Sequence, residues 1–232
     1  MHGILLGKAS VAAIKNGDPE VARKLLGEAL NASISEGEVV LDETIRFAHA
    51  LGSCDTLSQI TNFEVNVSKS DKARLQSLLL NQIGYCWMTK GNDAVRAEKE
   101  FTLSLDILKG ISVPVGELAI RLNNIGWART VLGQSTSAIE AYRKAFELRR
   151  SIGDPLTSQS AYGLAAAITV SGKALTDGVL KKEAIKALEF VVADDQYREL
   201  EKNQYESAAC MLISKDYSSS GSLFEKAQKA CP

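Results

Sequence analysis

The stretch LNNIGWARTVLGQSTSAIEAYRKAFELRRSIGDP, residues 122–155, decides the fold of this chain. Its first half places apolar residues at helical spacing from Leu122 to Leu132, and Gly133 is suited to end that helix. Its second half repeats the same spacing from Ala138 to Leu148. Two amphipathic helices joined by about four residues must lie antiparallel to each other. The stretch therefore predicts a helical hairpin.

Small residues predict a close crossing within this hairpin. Gly126 lies in the first helix, and Ala138 and Ala145 lie in the second. A glycine inside a helix costs about 1 kcal/mol relative to alanine, so its presence indicates a packing reason. Tyr142 is expected to fill the space between this hairpin and a neighbouring one.

The same arrangement recurs upstream at residues 79–110. Gly84 stands where Gly126 stands, and Phe101 takes the place of Tyr142. The turn at Gly91-Asn92 is one residue longer than its counterpart. A second hairpin of the same design is therefore expected.

Further helix pairs are expected in the remaining sequence. A clear one spans residues 4–32, with Ser10 before a turn and with Ala22 and Ala29 after it. Three degenerate pairs are predicted at 39–70, 156–192 and 195–231, and the last of these starts with one helix over about 195–215. Ser70 or Asp71 is expected to cap the helix that leads into residues 79–110. The whole chain, 1–232, is predicted to be a single repeat domain of about five helix pairs.

The repeated pattern resembles the tetratricopeptide repeat (TPR). The order that carries the resemblance is a hydrophobic–small pair, a glycine turn, and then Ala-x-x-x-aromatic-x-x-Ala. The LNNIG start at 122–126 and the 42 residues between Gly84 and Gly126 are similar to the long-connector repeats of kinesin light chains and bacterial peptide-pheromone receptors. The resemblance implies an all-α fold, a right-handed α-solenoid of antiparallel helix pairs. Many unrelated roles share this scaffold, so the resemblance alone does not fix a function.

The resemblance also places a candidate peptide-binding groove on the first helix of each pair. A carboxamide offers both a donor and an acceptor to the backbone of an extended peptide, and aromatic rings add apolar contact area. The residues of this type are Asn81, Gln82, Tyr85, Asn123, Asn124 and Trp127. The alternative is that these amides bond to one another or across helices. Ala161 occupies the matching place in the next unit, so the row of amides is short.

Composition argues against several other classes of protein. Lysine and arginine number 27 and aspartate and glutamate 28, which gives a formal net charge of -1 and no overall basic character for binding nucleic acid. No apolar run approaches the roughly 18 residues that a membrane span needs. The four cysteines, at 54, 86, 210 and 231, form no CxxC pair. We therefore expect free thiols, a cytoplasmic location, and neither a metal nor a cofactor.

No catalytic constellation is evident, so the chain is not expected to be an enzyme. His49 and Cys54 are five residues apart and separated by Gly52, which places them poorly for a nucleophile–base pair. The Arg149-Arg150 pair, Glu98 and Glu100 are interpreted as solvated helix faces. The basic residues nearest the candidate groove are Arg121 and Arg129.

The preferred function is a protein–protein interaction module that binds a peptide segment or a partner protein in a concave groove. The alternative is a regulatory or sensor TPR domain of a larger signalling or transcription-regulating protein, whose repeats hold a neighbouring domain or self-associate through an uncapped end. A chain that starts inside its first helix and stops after its last one is what a fragment of a larger protein would look like. The two hypotheses differ in whether the groove or the end of the array makes the contact.

Overall fold

The computed structural model describes residues 2–18, 20–22, 24–25, 28–29, 54–59, 68–172, 176–214 and 222–231. Within these ranges the regular elements are helices and none is a strand, which confirms the all-α prediction. Most of the predicted pair at 39–70, including His49, lies outside the described residues. The chain divides into two compact units, residues 1–113 and 114–232, where the sequence predicts one repeat domain.

The first unit contains four α-helices whose bounds are described and one π-helical turn, and residues 20–22, 24–25 and 28–29 are helical as well. The elements with described bounds are α1 (His2–Lys15), α2 (Cys54–Gln59), α3 (Lys69–Cys86), the π turn (Trp87–Gly91) and α4 (Ala94–Lys109). The Ser10 hydroxyl of α1 donates a 2.8 Å hydrogen bond to the carbonyl oxygen of Ala22. Ala22 and Ala29 are fully buried. The small-residue positions predicted in the first pair are therefore packed against neighbouring residues.

Helix α3 begins earlier than the sequence predicts. Its N-cap is Ser68, whose hydroxyl oxygen accepts a 3.1 Å hydrogen bond from the backbone N–H of Asp71. The same hydroxyl donates to the Asp71 carboxylate at 2.6 Å. The expectation that Ser70 or Asp71 caps the helix is wrong, because Asp71 instead lies in the first turn, where a negative charge complements the helix dipole.

Two contacts fix the crossing of α3 and α4. A Cβ added at Gly84 would lie 2.6 Å from the Phe101 ring, so only glycine leaves room for that ring. Further along, the Ser77 and Ser104 hydroxyls are both buried, and each donates to the backbone carbonyl of the other, at 2.9 and 2.6 Å. The contact partners run in opposite directions along the two helices. Helices α3 and α4 therefore run in opposite directions where they cross.

A π turn connects α3 to the loop before α4. The backbone N–H of Asp93 reaches the carbonyl oxygen of Trp87 at 2.9 Å, and Asn92 has a positive φ of 47°. Asp93 then caps α4 by accepting from the N–H of Arg96 at 3.0 Å. The additional residue that the sequence indicates in this connection is thus taken up by a widened last turn.

The second unit contains seven α-helices among its described residues. They are α5 (Val115–Val131), α6 (Ser135–Ser151), α7 (Thr157–Val170), α8 (Gly178–Ala193), α9 (Asp195–Leu200), α10 (Lys202–Ser214) and α11 (Ser222–Ala230). Helix α6 packs on both α5 and α7, α7 packs on α8, and α10 packs on α8 and α11.

The predicted helix over about 195–215 is divided in two at Glu201, so that prediction is wrong. The backbone of Glu201 leaves helical geometry, with φ -134° and ψ 57°. Tyr197 and Tyr205, on either side of the break, are both 1% exposed, and their hydroxyls donate to the side chain of Gln204 and to the carbonyl of Val192. The break lets both rings enter the core with a hydrogen-bonded hydroxyl.

The Tyr142 ring of α6 lies between two helical glycines. A Cβ added at Gly126 of α5 would lie 2.7 Å from ring atom Cδ2, and one added at Gly163 of α7 would collide with the opposite edge of the ring. The ring is 7% exposed. The prediction that Tyr142 fills the space between neighbouring hairpins is confirmed.

All four cysteines are oxidised. Cys54 is bonded to Cys86 and Cys210 to Cys231, with Cα–Cα distances of 5.7 and 4.9 Å. The expectation of free thiols is wrong because each pair is brought together by folding across 32 and 21 residues, a separation that no short spacing motif reveals. Cys54 is therefore not a nucleophile for His49 to activate.

Within the described part of the chain, no helix combines the length and the apolar character needed to cross a membrane.

Candidate functional site

The residues predicted for a binding groove on α3 differ in exposure. Asn81 is 5% exposed and belongs to the interior. Gln82, the next residue, is half-buried, and Tyr85 is 43% exposed. Gln82 and Tyr85 are three residues apart, which places them on one face of the helix. This pair presents an amide and a phenol ring together at the surface of the first unit.

The two asparagines predicted on α5 face different ways. Asn123 is 8% exposed, and its side-chain carbonyl accepts a 3.0 Å hydrogen bond from the Ser160 hydroxyl of α7. Asn124 is half-buried. One residue is about 100° of rotation around an α-helix, so neighbours cannot share a face. Asn123 is thus a contact between helices, the alternative that the sequence analysis leaves open for these amides.

Trp127 lies one turn after Asn124, on the same side of α5. The indole is half-buried and packs against the hydrophobic core of the second unit, which includes Ile139, Leu164 and Leu188. It therefore combines a packing contact on one side with a partly exposed edge on the other. Asn124 and Trp127 form a second amide–aromatic pair, which lies on α5 in the second unit.

The row of amides does not continue onto α7. Ala161, at the position that matches Asn124, is fully buried, and Leu164, which matches Trp127, is 1% exposed. The structure thus brings together Gln82 with Tyr85 and Asn124 with Trp127, each pair within its own unit. It turns Asn81 and Asn123 into the interior.

Arg149 is a buried cation that the sequence analysis interprets wrongly as solvated. Its side chain is 1% exposed, and one guanidinium nitrogen donates to the carbonyl of Leu156, to Gln159 and to the Ser160 hydroxyl at 2.8–3.0 Å. The buried Nε atom has no hydrogen-bond partner. Burial lowers the pKa of the guanidinium from its ordinary value, while the charge of Asp154 opposes that shift.

A polar network therefore runs through the second unit behind the amide–aromatic pair. It leads from Arg149 of α6 to Ser160 of α7 and on to Asn123 of α5. The sequence carries a signal for the inward position of Arg149 but not for its partners, since Arg149 falls four residues after Ala145 and seven after Tyr142, on the same helix face. Arg150 is exposed, as predicted, and its guanidinium lies 5.4 Å from the centre of the Phe146 ring.

The two basic residues named near the groove and the two glutamates interpreted as solvated differ in exposure. Arg121 is 2% exposed, so it offers no charge to a ligand at the surface, whereas Arg129 is half-buried. Glu98 and Glu100 are also half-buried. Burial raises the pKa of Glu100, and the charge of Lys99 acts in the opposite direction. Of the two basic residues named near the groove on α5, Arg129 is thus the one that keeps some exposure.

Comparisons with protein-family models and with curated proteins give no match for this chain.

Proposed function

We propose that this chain is a TPR-like α-solenoid that binds an extended peptide segment of a partner protein on the face of α5 carrying Asn124 and Trp127. The right-handed coil and the five helix pairs are part of the same proposal. Ring-on-glycine contacts support the repeat, because Gly84 and Phe101 reproduce the contact between Gly126 and Tyr142. A repeating hairpin of this kind builds a continuous surface from successive first helices.

The division of roles between Asn123 and Asn124 is the observation that carries the binding proposal. Asn123 is bonded to Ser160 and is explained by packing. Asn124 is half-buried and lies on the same side of α5 as the half-buried Trp127, so an amide and a large ring are both partly accessible there. An amide satisfies both backbone groups of a peptide residue without reading its side chain, and the indole supplies apolar area. The ligand class is therefore an extended, largely uncharged peptide.

The experiment selects peptides from a displayed random library on the full chain and measures the dissociation constant of the selected peptides. Asn124→Ala is expected to weaken binding by about 5- to 150-fold, because a buried peptide group left without its partner costs about 1–3 kcal/mol. Gln134→Ala removes an exposed amide at the α5–α6 turn and serves as the matched control. Its binding should stay within about twofold of wild type.

Salt dependence separates this site from a charged outer face. Neutral amide and aromatic contacts are weakly screened, so affinity should change little between low and moderate salt. Peptides that lose affinity steeply with salt yet ignore Asn124→Ala would refute the α5 site. Thermal melts of each variant establish that the fold is retained.

The compartment is a further part of the proposal. The expected cytoplasmic location depends on free thiols, but disulfides form and persist in oxidising compartments and are rare in the cytosol. The Cys54–Cys86 and Cys210–Cys231 bonds therefore favour an oxidising compartment. Mass spectrometry of the protein isolated from its own cells under alkylating conditions would test this, because unbridged cysteines carry the alkylating label.

A further inference from the structure

The two disulfides differ in how exposed their cysteine residues are. Cys54 and Cys86 are 5% and 0% exposed. Cys210 and Cys231 are both partly exposed. Reduction requires a thiolate to approach a disulfide sulfur directly, so access controls the rate. A dithiol reductant is therefore expected to reach the Cys210–Cys231 bond well before the Cys54–Cys86 bond.

The accessible bond anchors a short helix. Cys231 directly follows the last residue of α11, and Cys210 lies within α10. Helix α11 has nine residues, whereas isolated helices below about 12–15 residues are marginal in water. It must therefore be held in place by its attachments to the rest of the unit.

The non-covalent attachments of α11 are described for the side chains of residues 225–230. The partly buried Ala230 packs against the core cluster of the second unit. Ala227 is fully buried in the core cluster of the second unit, and it is a small side chain. The Lys226 ammonium lies 2.8 Å from the Asp195 carboxylate, but that carboxylate is 73% exposed and the pair is screened by solvent. The disulfide adds a covalent link between α10 and the end of α11.

Helix α11 covers apolar surface. It packs against α10 and α8. Ala208, Ala209 and Leu212 of α10 are fully buried and belong to the same core cluster as Ala227. If α11 separates from α10, part of this surface contacts water.

We propose that the Cys210–Cys231 disulfide is a redox latch that keeps α11 closed over the core of the second unit. A thiolate of a dithiol reductant attacks one sulfur and forms a mixed disulfide, which releases the other cysteine as a thiol. The second thiol of the reductant then displaces the remaining cysteine. The protein disulfide gains two electrons and two protons, and the dithiol becomes a disulfide. Opening the latch lets α11 leave α10, while the buried Cys54–Cys86 bond persists.

To test this proposal, the full oxidised chain is treated with increasing concentrations of dithiothreitol. Alkylation at successive times, followed by mass spectrometry, gives the reduced fraction of each cysteine. Hydrogen exchange measured on the same samples reports the stability of residues 222–230. Cys210→Ser/Cys231→Ser imitates the open latch without a reductant, and Cys54→Ser/Cys86→Ser is the matched control.

Cys210 and Cys231 should become labelled at least about tenfold faster than Cys54 and Cys86, since access sets the rate. Exchange in residues 222–230 should then rise at least about tenfold, while α5 to α7 keep their protection. Equal reduction rates of the two bonds, or earlier reduction of Cys54–Cys86, would overturn the proposal. Unchanged exchange in α11 after Cys210–Cys231 is reduced would also overturn it, since packing alone would then hold the helix. Both outcomes are measured on the wild-type protein during reduction, so the test does not depend on whether the serine variants fold.

Discussion

Replacing Gly126 with alanine tests the close contact between α5 and Tyr142 with a single added methyl group. The new Cβ would lie 2.7–2.9 Å from three atoms of the Tyr142 ring, a distance that forces something to move. The ring cannot simply retreat, because Gly163 stands against its opposite edge. Helix backbones must therefore separate, or the ring must leave its preferred position.

Two opposing terms set the expected magnitude. Alanine favours a helix interior by about 1 kcal/mol relative to glycine. Overpacking a close contact costs about 1–3 kcal/mol. Gly126→Ala should therefore lower the free energy of unfolding by about 1 kcal/mol. Gly116→Ala in the same helix is the matched control, since its Cβ would meet its nearest neighbours at an ordinary 3.6 Å. That variant should be neutral or more stable by up to about 1 kcal/mol.

Urea unfolding in a Trp87→Phe background is the assay, because Trp127 then reports on the unit that contains both substitutions. A second arm combines Gly126→Ala with Tyr142→Leu, which removes the ring. In that background Gly126→Ala should become stabilising, because only the helix-propensity term remains. If Gly126→Ala stabilises the protein as much as Gly116→Ala while Tyr142 is present, the ring-on-glycine contact is wrong.

Three further predictions concern charged residues. Arg149→Met should lower the free energy of unfolding by about 2–4 kcal/mol in urea titrations, because buried acceptors lose their donor, whereas Arg150→Met should change it by less than about 0.5 kcal/mol. Glu100→Gln should raise the melting temperature at pH 7 and lose that advantage when the pH falls below 4.5, the ordinary pKa of a glutamate. The reason is that a carboxyl whose pKa is raised by folding contributes stability at low pH, and this contribution is lost as the pH rises through the folded-state pKa. Equal melting temperatures of the variant and the wild type at pH 7 would contradict this prediction. Arg143 donates two hydrogen bonds to Glu183, at 2.6 and 2.8 Å. A double-mutant cycle on this pair at low salt should give a coupling energy of about 0.5–1 kcal/mol. A coupling energy near zero under the same conditions would contradict the pairing.

The hairpins could be predicted from the sequence because their signals are local. The spacing of Ala138, Tyr142 and Ala145 depends only on the geometry of one helix, and Gly126 reports the close contact directly. Helix capping is local in the same way: Asp194 caps α9 by accepting from the backbone N–H of Tyr197, three residues later, at 3.0 Å.

The candidate site could be predicted only in part, because inward and outward faces depend on distant residues. Neighbouring asparagines have the same chemistry, and only the position of Ser160 decides that Asn123 is the buried one. Arg149 is buried because acceptors from the α6–α7 loop and α7 surround it. The Cys210–Cys231 bond likewise requires two segments to meet in space. None of these partners is visible within a window of one helix.

The π turn at residues 87–91 bears on how this chain tolerates changes in length. Gly84 and Phe101 are 17 residues apart, whereas Gly126 and Tyr142 are 16 apart, yet both pairs make the same ring-on-glycine contact. The surplus residue is absorbed where α3 ends, beyond the contact itself. An insertion or deletion during evolution can therefore be accommodated at this hairpin tip without shifting the register of the two helices. Such tips are the places where homologous sequences should differ in length.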